Sequence, residues 1–169
     1  MTSLGNYASA SVLSCNTLRC RNTLTSAYGL FKLESDRPTA AVIGNNDISG
    51  WIAFPSGSEN KNISIDANKK IFSVAEAGLY KVDVNIQVGG DIIPFLNVYC
   101  EFKSLTMGGA IIDNQTGNAV IKQYSASFST LLKIENPATD TFKIRGYVSN
   151  GVAPTWKSLY SIISIVKLA

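Results

Sequence analysis

Residues 80–88 read Tyr-Lys-Val-Asp-Val-Asn-Ile-Gln-Val, and no other stretch limits the possible folds of this chain as strongly. Tyr80, Val82, Val84, Ile86 and Val88 fall on one side of an extended backbone, with Lys81, Asp83, Asn85 and Gln87 on the other. A period of two belongs to a strand with one buried and one wet face, and a helix would scatter the same groups round its circumference. Just upstream, Ile71-Phe72-Ser73-Val74 reads as a short apolar strand. Ala75-Glu76-Ala77-Gly78 then turns the chain, with glycine able to take a positive φ at no steric cost. A sandwich built around residues 71–88 is expected.

The same period recurs downstream. Leu96, Val98, Cys100 and Phe102 alternate with polar neighbours; so do Tyr124, Ala126, Phe128, Thr130, Leu132 and Ile134, and then Phe142, Ile144, Gly146 and Val148. Shorter strands are expected at Thr39 to Ile43, Trp51 to Phe54, Ile63 to Ile65 and Ala110 to Ile112. Turns are expected at Ser35 to Pro38, Gly44 to Asp47, Pro55 to Ser58, Gly89-Gly90-Asp91, Met107-Gly108-Gly109, Asp113 to Asn118 and Asn136 to Asp140. No stretch has helical spacing, so the fold class is all-β, with about eight to ten strands.

A length of 169 residues suits one domain with some chain to spare. Residues 1–36 are rich in Ser, Thr, Asn and Ala, and Asn16-Thr17-Leu18 recurs as Asn22-Thr23-Leu24. The expected division is an extended N-terminal arm over residues 1–36, pinned against neighbouring subunits, and a head domain over 37–169.

The last segment, from Ser158 to Leu168, breaks the pattern, being apolar on both sides. In an antiparallel sandwich such a strand has one face in the core and the other against something else. A second copy of the subunit is the expected cover, which makes Tyr160, Ile162, Ile163, Ile165, Val166 and Leu168 the candidate subunit contact.

Several chemistries are disfavoured. The chain has no His, the commonest general base and metal ligand. Cys100 alternates into an apolar strand as a small core residue, while Cys15 and Cys20 lack a second pair to hold zinc. A reducing compartment is expected. Asp47, Asp66, Asp91, Asp113 and Asp140 lie in turns, where Asp makes local hydrogen bonds; calcium at Asp91 or Asp113 is the one metal alternative. No catalytic residue, resident metal or cofactor is expected.

The net charge is +3, divided as +2 over residues 1–37 and +1 over the rest, so no basic arm for packaged nucleic acid is present. No apolar run is long enough to span a bilayer. The first residues have neither a charged n-region nor an apolar h-region, so no cleaved signal peptide is expected. Asn62-Ile63-Ser64 and Asn114-Gln115-Thr116 match glycosylation acceptors that, on this reading, stay unused.

Phe72 ahead of Ala77-Gly78-Leu79-Tyr80, the Leu131-Leu132-Lys133-Ile134 strand before an Asp140-containing loop, and the closing Tyr160-Ser161-Ile162-Ile163-Ser164-Ile165 occur in an order that resembles the TNF-like jelly roll, whose members include the globular heads of the first complement component. The resemblance covers roughly residues 50–169. It implies a single jelly-roll sandwich of ten strands in two antiparallel sheets, assembled as a tight homotrimer with the C-terminal strand near the centre of the inner sheet. The chain departs from animal members in lacking a collagen-like Gly-x-y repeat. It therefore looks more like a virion protein: a capsid-associated spike, fibre head or minor capsid protein, made in the host cytoplasm.

That reading implies contacts with other capsid proteins through the arm. It also implies contacts with a host-surface receptor or glycan through the loops at Gly89 to Pro94, Gly108 to Gly117 and Ser149 to Trp156. Asp91, Gly109, Asn114 and Trp156 are the loop candidates. A shell-forming viral coat protein, and a complement-like recognition head on a secreted or bacterial surface protein, stay open as alternatives.

Overall fold

A computed structural model of the protein describes residues 27–38, 44–55, 60–89, 95–113, 123–148 and 155–169. Their regular secondary structure is all strand. In chain order these are β1 (Tyr28–Leu33), β2 (Arg37–Pro38), β3 (Gly44–Asp47), β4 (Trp51–Ala53), β5 (Ile63–Ile65) and β6 (Ile71–Val74). There follow β7 (Gly78–Gly89), β8 (Phe95–Phe102), β9 (Leu105–Asp113), β10 (Gln123–Ile134), β11 (Phe142–Val148) and β12 (Thr155–Lys167). One sheet runs β10-β7-β12-β1-β4, with β2 also on β12; the other runs β5-β6-β11-β8-β9, with β3 also on β11. All the pairings are antiparallel. The architecture is an all-β sandwich of two antiparallel sheets.

β7 occupies the place its alternation demands. Tyr80, Val82, Val84, Ile86 and Val88 are all buried between the sheets, and the strand pairs with β10 along its whole length and with β12 on its other edge. Leu96, Val98, Cys100 and Phe102 of β8 enter the same core, as do Ala126, Leu132 and Ile134 of β10 and Phe142 and Ile144 of β11. Burial pushes the Cys100 thiol up to about 12, so it stays protonated and inert.

Phe72 sits at the centre of an aromatic cluster. Its ring meets Phe31 edge-on at 5.0 Å, stacks on Phe142 at 5.3 Å and lies 6.3 Å from Trp51. The Trp51 indole N–H donates to the Ile48 carbonyl at 2.9 Å, which satisfies the one polar atom the cluster buries.

Three expectations are corrected. The arm does not extend to residue 36: β1 lies inside the first sheet, between β12 and β4, with Phe31 and Leu33 buried. Its polar neighbours conceal a strand whose inward residues are only Gly29, Phe31 and Leu33. Second, Gly44 to Asp47 is not a turn but β3, paired from Gly44↔Val148 to Asp47↔Arg145. Its end is fixed by Asp47, which meets Lys143 at 3.2 Å and Arg145 at 3.1 Å.

Third, the β8–β9 hairpin turns at Lys103-Ser104, with φ of +51° and +62°, and not at Gly108-Gly109. Such a two-residue turn needs positive φ at both positions and usually recruits Asn-Gly. Here tertiary contacts hold it instead, because Lys103 Nζ lies 3.1 Å from the buried Asp140 carboxylate. Gly109 is an exposed strand residue whose missing Cβ makes room for the Val98 carbonyl, 2.7 Å from where a Cβ would stand. The expected strand at residues 39–43 lies outside the described residues, as do Cys15, Cys20 and the Asn-Thr-Leu recurrence.

Candidate subunit-contact face

The C-terminal strand stands at the middle of the β10-β7-β12-β1-β4 path of a six-stranded sheet, flanked by β7 and β1 and paired also with β2. Its failure to alternate has a local cause. Lys157 pairs with Gln87 and Ile162 with Asn85, so residues 158–161 bulge out against Ile86 alone. An odd number of extra residues reverses which side faces inward. Trp156 points into the core before the bulge; Ser161, Ile163 and Ile165 do so after it.

The bulge is fastened on every side. Asp36 Oδ1 accepts from the Ser158 N–H at 2.8 Å and the Ser158 hydroxyl at 3.0 Å, and Lys157 Nζ reaches Asp36 Oδ2 at 2.9 Å. Ser161 Oγ donates to the Lys157 carbonyl at 2.5 Å and accepts the Gln87 N–H at 3.1 Å. Asn85 donates to the Tyr160 carbonyl at 2.7 Å and accepts from Ser127 at 2.6 Å. Held in this frame, Leu159 and Tyr160 stand out of the sheet, 73% and 54% exposed.

The Ser158 N–H, then Lys157 and the Ser158 hydroxyl, hold the Asp36 carboxyl down to about 2. A carboxyl with a depressed folded-state pKa adds stability above its unfolded value near 4 and loses it as the pH falls toward 2. Asp36→Ala is expected to cost about 1 kcal/mol at pH 7. It should also flatten the decline of thermal midpoint between pH 4 and 2, which calorimetry across that range would measure; an unchanged slope would remove Asp36 from this role.

The registers place the outward side chains in rows. Ile52, Lys32, Ile162, Asn85 and Ser127 make one; Leu30, Ser164, Asp83 and Ser129 the next; Tyr28, Val166, Lys81 and Leu131 the third. Where the side chains are short, around Asp83, Asn85, Ser127, Ser129, Ile162 and Ser164, the face dips into a groove of about 490 Å3. The outer face of the other sheet is different in kind. There Arg145 and Lys143 bridge Asp47 and Glu101 in a compact network of ion pairs at 2.6 to 3.3 Å. Partial burial pushes the Glu101 carboxyl up, but Arg145 and Lys143 outweigh it and hold the group below its usual value.

No protein-family model matches the sequence, and no curated protein matches it. Solved structures do match. The structure of Eiger TNF from S. frugiperda superposes with a TM-score of 0.68 over 86% of this chain and 94% of that one, at 15% identity. Murine APRIL superposes with a TM-score of 0.58 at pH 8.0 and 0.59 at pH 5.0, over 83% and 84% of this chain and 99% and 98% of the other, at 11% and 10% identity. The fold is a TNF-like jelly roll.

Within that jelly roll the motif residues have visible work. Tyr80 is wholly buried, and its hydroxyl donates to the Glu76 carbonyl at 2.9 Å, closing the turn that precedes its own strand. Gly78 has φ +150°, and a Cβ there would collide with Ala169 O and the Lys167 side chain. Asp140 closes its loop by accepting the Glu135 and Asn136 N–H groups at 2.8 and 3.0 Å.

The contact candidates divide. Tyr160 and Leu168 are exposed and Ile162 and Val166 half-buried, all available to a partner. Ile163 and Ile165 are fully buried in the subunit's own core, because the bulge turns them inward. Leu159, the most exposed large apolar residue among those described, was not among the candidates; its signal was the stretch where alternation stops.

Among the loop candidates, Trp156 is corrected outright: it is 3% exposed, and its indole fills the space left by Gly146 on β11. Gly109 lies in β9 and not in a loop. Asp91 and Asn114 lie outside the described residues. Asp113 ends β9, and among the described residues no three His, Cys, Asp or Glu side chains cluster to hold a metal. Also among them, no helix is long and apolar enough to cross a membrane.

Proposed function

We propose that the protein is a non-enzymatic structural component of a virus particle, a homotrimeric TNF-like head joined to other capsid proteins by the segment before Ala27. The observation that carries the self-association half is the outer face of the β12 sheet. Ile162 and Val166 lie half-covered at its centre, and Leu159, Tyr160 and Leu168 are exposed around them. A standard contact removes about 800 Å2 per partner, and at about 25 cal/mol per Å2 its apolar part outweighs the cost of association. The virion half is supported by the Ser/Thr/Asn-rich composition of residues 1–26, a polar stretch suited to lying against other proteins. In this reading the chain is made in the host cytoplasm and ends in the virion. The residues that connect β7 to β8, β9 to β10 and β11 to β12 meet a host receptor or glycan.

The test is the mass of the purified protein with and without residues 1–26. A cut at residue 36 would remove β1 and unfold the sheet, so the truncated form begins at Ala27. Both forms are expected to be trimers, and only the full chain should enter particles on co-expression with its capsid partners. A monomeric parent protein would overturn the self-association; incorporation of the truncated form would overturn the anchoring role.

The likeness to Eiger TNF favours a second reading, a secreted recognition head. Export of the full gene product, with binding to uninfected cell surfaces and none to particles, would select it. A shell-forming coat protein would instead assemble alone into closed shells with contacts on several edges.

A further inference from the structure

We infer that Lys167 and Asn62 join their side chains in an intramolecular isopeptide bond, with the Glu76 carboxylate carrying the protons. The inference is independent of self-association, since every group belongs to one subunit. The three residues meet at one carboxylate. Lys167 Nζ lies 2.8 Å from Glu76 Oε2, and Asn62 Nδ2 donates to Glu76 Oε1 at 2.7 Å. Exchanging one amide for another needs an amine, an acyl carbon and a base within hydrogen-bond reach of the amine. All three are here.

The backbone pins each member. Asn62, at φ +59°, accepts the Ala75 N–H on its carbonyl at 2.9 Å. The Glu76 carbonyl accepts the Tyr80 hydroxyl at 2.9 Å. Lys167 pairs with Tyr80 across β12 and β7, and its N–H donates to the Ala27 carbonyl at 3.0 Å. Its side chain crosses Gly78, where a Cβ would stand 2.5 Å from Lys167 Cε. The missing side chain thus leaves the path by which the ammonium reaches Glu76. Groups positioned beforehand gain the rate advantage of an intramolecular step. The Lys167 side chain is 17% exposed, while Asn62 lies at the surface, where a small leaving group can depart.

In the step, Glu76 takes a proton from the Lys167 ammonium, and the freed Nζ lone pair attacks Asn62 Cγ. The Nζ–Cγ bond forms, the Cγ–Nδ2 bond breaks, and Glu76 gives its proton to the departing Nδ2, its existing hydrogen-bond partner. Three hydrogens on the ammonium and two on the amide become one on the new amide and four on a released ammonium ion, and Glu76 ends ionised as it began. Nothing is oxidised or reduced. Each chain reacts once, so this is self-linkage and not turnover. The link ties the residue before β5, in one sheet, to the last residue of β12, in the other. It closes more than a hundred residues into a loop, and crosslinks across long loops restrict the unfolded chain most.

The experiment is the intact mass of the purified full chain after prolonged incubation at body temperature. A mass short of the sequence by one ammonia is expected, with trypsin releasing residues 62–69 covalently joined to residues 158–169. Lys167→Arg, which keeps a cation against Glu76, and Asn62→Ala should each remain at full mass. Glu76→Gln should slow the linkage at least about 100-fold.

A parent chain of full mass overturns the inference. So does an ammonia loss without the joined peptide, which would mark a succinimide elsewhere, as at Asn150-Gly151. A Glu76→Gln chain that links at the parent rate overturns the role of the carboxylate. None of these results bears on whether the subunits form trimers.

Discussion

Phe72→Ala is expected to lower the free energy of unfolding by about 3–5 kcal/mol. The ring is wholly buried and touches aromatic side chains from both sheets: Phe31 of β1 and Trp51 of β4 on one side, Phe142 of β11 on the other. Removing it deletes the apolar transfer energy and leaves a cavity walled by large flat rings that cannot close over it. The edge-on and stacked contacts add about 0.5–1.5 kcal/mol per pair beyond area. A domain of this size has roughly 5–15 kcal/mol in total, so the variant should be partly unfolded at body temperature. The urea midpoint followed by tryptophan fluorescence reads it; a loss under about 1 kcal/mol would mean that Phe72 does not tie the sheets together.

The second large effect is expected at Gly146, where a side chain would occupy the space of the Trp156 indole. A Cβ there would lie 2.6 Å from Trp156 Cζ2 and closer still to Cη2. Gly146→Val should therefore cost about 3 kcal/mol or more, near the top of the range for overpacked cores. Trp156→Leu alone should cost about 2–4 kcal/mol by emptying that space. Combined, the two changes are expected to destabilise by less than their sum, with a coupling of about 1–3 kcal/mol, since leucine vacates the volume that valine fills. Additive costs in chemical denaturation would show that the indole is elsewhere. A surface-binding role for Trp156 predicts no coupling.

These two sites mark how far the residues could be read without the fold. Phe72, Gly78 and Tyr80 were legible because their meaning is local: a turn, a strand and a tyrosine bonded back to the turn at Glu76. Trp156 was not, because the hole it fills belongs to Gly146, on a strand that does not pair with its own. A glycine at an inward position of an otherwise bulky strand is the only trace, and it names no partner. The hairpin at Lys103-Ser104 was hidden likewise: its residues are poor turn formers, and Asp140, far along the chain, helps hold Lys103 in place.

The candidate face shows the same division. Two-sided apolar character near the C-terminus was plain from the residues, and the structure places it on β12. It could not tell Ile162 and Val166 from Ile163 and Ile165, because a bulge reverses inside and outside without altering composition.

The amino-acid order alone determined the all-β class and the inward faces of β7, β8, β10 and β11. Each follows from a backbone period of two acting over neighbouring residues. Only the tertiary structure decided that β1 belongs to the domain, that Asp36 and Asn85 hold a bulge in β12, and that Leu159 and Tyr160 stand outside while Ile163 and Ile165 lie within. Those facts depend on which strands lie side by side, and pairing across more than a hundred residues leaves no periodic mark on the chain.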